Sequence, residues 1–131
     1  MINIDKLKKV FKDTVSITEY PGAYILNTNL VYFGEESETF ALSIVDGGDK
    51  IVLTDIGETV KRLGEQDIDI HDSEVSVYVS KVLHHLGVTL GPSNELLVYA
   101  SNETDCALAA GRLYQAVILL SYIDLQYEYE D

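Results

Sequence analysis

Apolar residues recur with two different periods along the chain, and each change of period marks a boundary between predicted elements. Residues 3–12 carry apolar side chains at helical spacing and predict a short amphipathic helix. The stretches "VSITEY" and "AYILNT" predict two strands joined by a turn at Pro21-Gly22. The alternating "TFALSIVD" and the returning "IVLT" flank "GGDK", so a hairpin is predicted over about residues 39–54.

The second half of the chain predicts short strands and helices of increasing length. A brief helix is expected to end near Gly64, and a longer one to begin at Ser73 and stop at Gly87. "VTL" and "ELLVYA" predict two short strands around the turn "GPSN". A long helix is predicted from about Thr104 to Leu125. Its apolar positions include Leu108, Leu113, Val117, Leu120 and Leu125.

These elements together predict an α+β fold, in which a small antiparallel sheet with the hairpin at its centre packs against the long C-terminal helix and the shorter helices. A length of 131 residues suits one domain with one hydrophobic core. The single domain is expected to span residues 1–131, with the amphipathic helix at residues 1–12 and an acidic tail at residues 126–131.

The charge of the chain limits which partners such a domain is expected to bind. The chain has 22 acidic and 9 basic residues, a net charge of −13, and four of its lysines fall within the first twelve residues. Direct binding of nucleic acid is therefore not expected, because phosphate contacts need cations. Two interpretations of the acidity remain open, namely solubility alone and attraction to a basic protein surface.

Cysteine usage and hydropathy bear on the compartment. Cys106 is the only cysteine and cannot form an internal disulfide, which suits a reducing cytoplasm. At the start of the last predicted helix it is interpreted as a small core residue. No signal peptide is recognised, and the longest apolar stretch, "AVILL", is far too short to span a bilayer. A cytoplasmic protein without a membrane partner is expected.

The phrase "TDIGE" presents a carboxylate beside a glycine where a strand ends and a helix begins. Asp55 and Glu58 stand three residues apart, which is the spacing of a capping box, in which Asp55 accepts from a first-turn N–H and Glu58 reaches back to the cap residue. Gly57 allows strand and helix to pack closely. The phrase is therefore interpreted as a structural cap, and the alternative is a catalytic or metal-binding Asp55.

The segment "QDIDIHDSE" alternates polar and apolar side chains. In an extended chain Asp67, Asp69 and His71 lie on one side, opposite the two isoleucines. Such a set resembles part of a metal site, but no second cluster with ligand spacing occurs, so a solvated acidic edge is expected and no metal or other cofactor. Because the usual catalytic motifs are also missing, the chain is not expected to be an enzyme.

Several residues follow a known pattern, in which a hairpin ends in L-T-D-x-G-x-T, a helix stops at glycine and a final helix carries Q-A. The matching residues are Leu53, Thr54, Asp55, Gly57, Thr59, Gly87, Gln115 and Ala116. From about residue 13 onward the chain resembles the domain of unknown function 1828 family of bacteria, phages and mobile elements. It differs in the loop before the hairpin, where "YFGEESE" replaces a basic-polar segment. The resemblance implies the fold and a mobile-element context.

Acidity, small size and that context predict an acidic protein-binding module that inhibits a nucleic-acid-binding host complex, as an anti-CRISPR-like counter-defence protein or a nucleic-acid mimic would. The predicted partner is a protein with a basic surface, and a homo-oligomer is compatible with the sequence. The alternatives are a small-ligand or nucleotide-sensing module and a metal-dependent hydrolase. The predicted partner-binding residues are Glu35, Glu36, Glu38, Asp67, Asp69, Asp72 and Glu74.

Overall fold

A computed structural model describes residues 2–11, 16–31 and 39–123. Its helices are α1 (Ile4–Phe11), α2 (Glu58–Glu65), α3 (Ser73–Leu86) and α4 (Cys106–Ser121). Its strands are β1 (Ser16–Tyr20), β2 (Ala23–Val31), β3 (Thr39–Asp46), β4 (Ile51–Thr54), β5 (Thr89–Leu90) and β6 (Leu96–Ala100). The predicted tail at residues 126–131, Leu125 and the three glutamates of the "YFGEESE" loop lie outside the described residues.

The six strands form one sheet in the order β1-β2-β3-β4-β6-β5, and every neighbouring pair is antiparallel. The predicted hairpin β3–β4 occupies the middle of this sheet, where Ile44 pairs with Leu53 and Leu53 with Val98. All three of these side chains are buried. The α+β class and the central hairpin are therefore confirmed.

The helices gather on one face of the sheet around α4. This helix contacts β4 and β6 directly, and α1, α2 and α3 each contact α4. Phe40 on β3 meets the ring of Tyr114 on α4 edge-on, with the ring centroids 5.8 Å apart. The core thus forms between one face of the sheet and α4, while the opposite face has no helix among the described elements against it.

The long helix is shorter than predicted, and one of its expected core residues is on the wrong side. It runs over Cys106–Ser121, and Leu108 is 64% exposed. The buried positions Cys106, Ala109, Leu113 and Val117 recur every three or four residues, which defines one face. Leu108 comes two residues after Cys106, about 200° around the helix, and therefore points away from the core.

Helix α3 agrees with its prediction. It begins after Asp72, whose side chain accepts a hydrogen bond from the N–H of Glu74 at 3.1 Å, and it ends at Gly87 with a φ of 68°. Glycine suits this left-handed position because it has no Cβ to clash with the backbone. Within the described residues, no helix combines the length and the apolar character needed to cross a membrane.

Candidate partner-binding surface

Asp55 lies at the junction of β4, α2 and β6, and the residue is only 1% exposed. Its Oδ1 accepts from the N–H of Gly57 at 2.9 Å and from the N–H of Leu96 at 2.8 Å. Its Oδ2 accepts from the N–H of Thr59 at 3.1 Å. One carboxylate therefore joins the turn, the first turn of α2 and the start of a strand 41 residues away in sequence.

The predicted capping box is wrong in one half. Asp55 does accept from a first-turn N–H, but Glu58 does not reach back to it. The N–H of Asp55 donates instead to the carbonyl of Leu96 at 3.4 Å, and Oε2 of Glu58 lies 3.9 Å from Nε of Arg62, one helical turn on. Because strand β6 already satisfies the Asp55 N–H, that donor is not available to Glu58.

The turn that carries Asp55 holds two consecutive residues with positive φ, Ile56 at 61° and Gly57 at 80°. Gly57 occupies the cap position of α2, which a left-handed glycine fills without steric cost. Ile56 is β-branched and therefore strained in this conformation, and its side chain is 62% exposed. The hydroxyl of Thr54 accepts from its N–H at 3.1 Å and helps to hold the turn.

Between α2 and α3 the predicted extended chain is wrong, because residues 66–67 and 70–71 form turns. The N–H groups of Gln66 and Ile68 both donate to the carbonyl of Leu63, and the N–H of Asp67 donates to that of Gly64, at 2.9–3.0 Å. Asp67 has a φ of 63°. The unsatisfied carbonyls in the last turn of α2 capture these donors and fold the chain back on the helix.

The acids of this segment nevertheless project outward, because the isoleucines between them turn toward the core. Ile70 is buried and Ile68 is partly buried, whereas the side chains at 67, 69, 72 and 74 are exposed. We call Asp67, Asp69, Asp72 and Glu74 the acidic ridge. Within the part of the chain that the structure describes, no Lys or Arg forms an ion pair with any of them.

Two members of the acidic ridge also order the backbone. Oδ1 of Asp69 accepts from the N–H of His71 at 2.9 Å, and Oδ1 of Asp72 caps α3 as described above. Each of these bonds uses one carboxylate oxygen, so the other oxygen stays available to solvent or to a ligand. The ridge is therefore held in a defined shape by its own backbone.

Two shallow grooves border the acidic ridge. One, of about 340 Å³, has Val60, Ile68 and Ile70 in its lining together with Asp67 and Asp69. The second, of about 260 Å³, shares Asp67, Ile68 and Asp69 with the first and continues past Asp72 and Glu74. An apolar surface beside exposed carboxylates suits Lys or Arg, whose aliphatic stems pack on apolar atoms while their charged ends stay at the rim.

Other groups with chemical potential lie away from this surface. Cys106 is fully buried, as the sequence interpretation expected, and burial, with smaller contributions from Glu103 and Asp105, raises the pKa of its thiol to about 11. A thiol that is buried and protonated at neutral pH is a poor nucleophile. Across residues 2–11, 16–31 and 39–123, no three His, Cys, Asp or Glu side chains are grouped as metal ligands would be.

The sequence interpretation missed the bond between Asp55 and Leu96 and the positive φ values of Ile56, Asp67 and Asn94. A long-range bond leaves no local signal in a sequence. For the positive φ of Asp67 and Asn94 the sequence does contain a weak local signal, since Asp and Asn enter the left-handed region more readily than other non-glycine residues. For Ile56 nothing in its residue type indicates the conformation.

The chain was compared with family models, with curated proteins and with solved structures. A search of curated proteins and a search of solved structures each gave no significant match. A family described as "Domain of unknown function DUF1828" matches residues 32–119, from the loop before β3 to the last turns of α4. This region starts later than the expected residue 13, but it includes the whole L-T-D-x-G-x-T phrase. The chain belongs to the DUF1828 family.

Proposed function

We propose that the protein is an acidic binding module whose acidic ridge docks on a basic surface of another protein. The target proposed is a nucleic-acid-binding complex of the host, which the module inhibits by occupying cationic sites that otherwise hold phosphates. The proposed role of the protein is therefore that of a phage or mobile-element protein that counteracts host defence. The observation that carries the proposal is the exposed ridge of four carboxylates, none of which forms an ion pair with a Lys or Arg among the described residues.

Like charges placed together on a surface repel each other, so a ridge of this kind lowers stability unless a partner neutralises it. Solubility alone needs net charge and not its concentration beside an apolar groove. Here the two features coincide, since Ile68 takes part in both grooves between Asp67 and Asp69. This coincidence supports recognition of Lys and Arg side chains over a purely solubilising role.

The geometry favours this reading over the two alternatives. The larger groove has a volume suited to a small ligand, but its rim carries carboxylates, which repel the phosphates of a nucleotide. A hydrolase built on Asp55 would need that carboxylate to reach a metal or a substrate. Both of its oxygens already face backbone N–H donors in the interior.

The test is neutralisation of the ridge without change of shape. In a triple variant Asp67→Asn, Asp69→Asn and Asp72→Asn, the amide oxygens can still accept from the N–H groups of His71 and Glu74. A matched control removes three exposed acids elsewhere, by Glu19→Gln, Asp49→Asn and Asp105→Asn. Both variants change the net charge equally, so any difference between them reports position.

The measurements are binding of a fluorescent lysine-rich peptide at several salt concentrations and quantitative capture from host lysate. We expect the ridge variant to bind at least about tenfold more weakly, or about 1.4 kcal/mol, with a flatter salt dependence. The control variant should bind like the wild type. Equal losses in the two variants would mean that only net charge matters, and the proposal would then be wrong.

The loop glutamates form a second, separate set. Glu35, Glu36 and Glu38 lie outside the described residues, and their part in binding rests on the sequence alone. A triple change of these residues to Gln, measured in the same assays, decides whether the loop adds to the ridge. A loss additional to that of the ridge variant would assign both sets to one binding surface.

A further inference from the structure

The face of the sheet that points away from the helices carries no charged residue in two successive rows of side chains. The register places Ile25 opposite Ser43, Ser43 opposite Thr54, and Thr54 opposite Leu97. Thr18 and Thr89 extend this row to the two edge strands. Ser43, at the centre of this row, is only 5% exposed, and its neighbours Ile25 and Thr54 are partly buried, whereas Thr18 and Thr89 at the ends are exposed. Charged residues make up 24% of the chain, so a row across six strands without one is unusual for this protein.

The second row is apolar throughout. It contains Val45 opposite Val52 and Val52 opposite Tyr99. Toward the β1 edge of the sheet, the same row continues with Tyr20 opposite Ala23. Tyr20 is 57% exposed and Tyr99 is 50% exposed. Lys50, in the β3–β4 turn, brings its Nζ to 6.0 Å from the centroid of the Tyr99 ring, so a charge borders this row at its rim but does not enter it. We call these two rows the uncharged face.

We propose that the uncharged face binds a second copy of this chain, so that two sheets pack face to face in a symmetric dimer. Electrostatics selects this occupant. Two copies with a net charge of −13 each repel one another wherever carboxylates meet, and the uncharged face lets them approach without placing like charges together. A basic partner, in contrast, finds no carboxylate there and is attracted to the acidic ridge instead.

The size of the face limits the strength of the dimer. The two rows cross at most six strands spaced about 4.8 Å apart and lie about 6.6 Å from each other along the strands, so the face covers roughly 24 by 13 Å, or about 300 Å² in projection per copy. The accessible area of a surface covered by side chains exceeds its projection, but two copies stay below the roughly 1,200 Å² of the smaller specific interfaces, in the range of weak and transient contacts. Sheets that pack in this way lie about 10 Å apart with their side chains interdigitated. A weak, concentration-dependent dimer is the expected product.

The test is sedimentation equilibrium of the full chain over a wide range of concentrations. Wild type is expected to pass from the 14.6 kDa of one copy toward twice that mass. Tyr99→Lys and Val45→Lys each place a charge in the uncharged face, whose two rows contain no carboxylate. Val77→Lys is the matched control, because Val77 is 54% exposed on α3, in the helical layer. All three variants change the net charge by the same single unit.

Tyr99→Lys and Val45→Lys should weaken the dimer at least about tenfold, whereas Val77→Lys should leave it unchanged. Raising salt from about 0.1 M to 1 M, which shortens the Debye length from about 10 Å to about 3 Å, should strengthen the dimer. A chain that stays monomeric at every concentration would overturn the proposal, and so would equal effects of Tyr99→Lys and Val77→Lys. Thermal melting identifies a variant that fails to fold, and Tyr99→Lys, at the more exposed site, then carries the test alone.

Discussion

Replacing Asp55 by alanine is expected to cost far more than the loss of an ordinary helix cap. The carboxylate accepts three backbone N–H groups, and two of them, those of Thr59 and Leu96, are buried. The third, that of Gly57, is only partly buried, and water can replace the lost acceptor. Alanine offers no acceptor, so the two buried donors are left without partners.

The magnitude follows from those two donors. A buried N–H that loses its acceptor costs about 1–3 kcal/mol, so Asp55→Ala should lower the free energy of unfolding by about 4 kcal/mol. Asp55→Asn should cost about half as much, because the amide oxygen can keep the bonds to Gly57 and Leu96 while its NH₂ group faces the Thr59 donor. The control Asp72→Ala removes an exposed cap and should cost about 1 kcal/mol.

Urea denaturation followed by circular dichroism measures all three variants on one scale. The order of destabilisation should be Asp55→Ala, then Asp55→Asn, then Asp72→Ala. If Asp55→Ala unfolds at the same urea concentration as Asp72→Ala, the three hydrogen bonds of Asp55 contribute no more stability than one exposed helix cap. If Asp55→Asn binds the basic peptide like wild type while it remains folded, the carboxylate has a structural role and not one in binding.

Three further measurements test other parts of the structure. Gly87→Ala should lower the free energy of unfolding by about 1 kcal/mol, because Gly87 has a φ of 68°. Gly111→Ala lies in the interior of α4 with open space around it, and should raise the free energy of unfolding by up to about 1 kcal/mol in the same urea titration. Burial raises the pKa of Cys106 from 9.0 to about 11, so the folded state holds the thiol proton more tightly than the unfolded state does. The stability that this provides is present below pH 9.0 and should be lost as pH rises toward 11. Cys106→Ala should make the free energy of unfolding less dependent on pH in this range. Calorimetric titration with Mg²⁺, Mn²⁺ or Zn²⁺ should show no stoichiometric site, and a one-site isotherm abolished by Asp69→Ala would contradict this.

Hydrophobic periodicity and turn residues were enough to predict the fold class and most of its elements, because they act over a few neighbouring residues. The β3–β4 hairpin was predictable from alternating residues around two glycines, and the end of α3 from Gly87. Leu108 was misplaced because α4 is apolar on more than one side, so periodicity alone does not tell which side faces the sheet. That choice is made by packing against β4 and β6, which the sequence does not display.

The acidic ridge was predictable in its members but not in its shape. Alternation of acids with Ile68 and Ile70 correctly placed the carboxylates outside, yet the same alternation suggested an extended chain. The carbonyls at the end of α2 override that preference by capturing the next N–H groups. Asp55 shows the same limit, since its bond to Leu96 depends on where β6 enters the sheet.

The two proposed surfaces belong to opposite layers of the fold, and this separates them in experiment. The acidic ridge connects α2 and α3 in the helical layer, whereas the uncharged face is the outer side of the sheet. A dimer joined through its sheets therefore leaves both ridges free and presents two of them on one particle, which raises the avidity for a repetitive basic surface. Salt acts on the two contacts with opposite sign, because it screens repulsion between two copies and attraction to a basic partner alike. Capture of the basic peptide that weakens with salt while self-association strengthens would require two separate surfaces on this small domain.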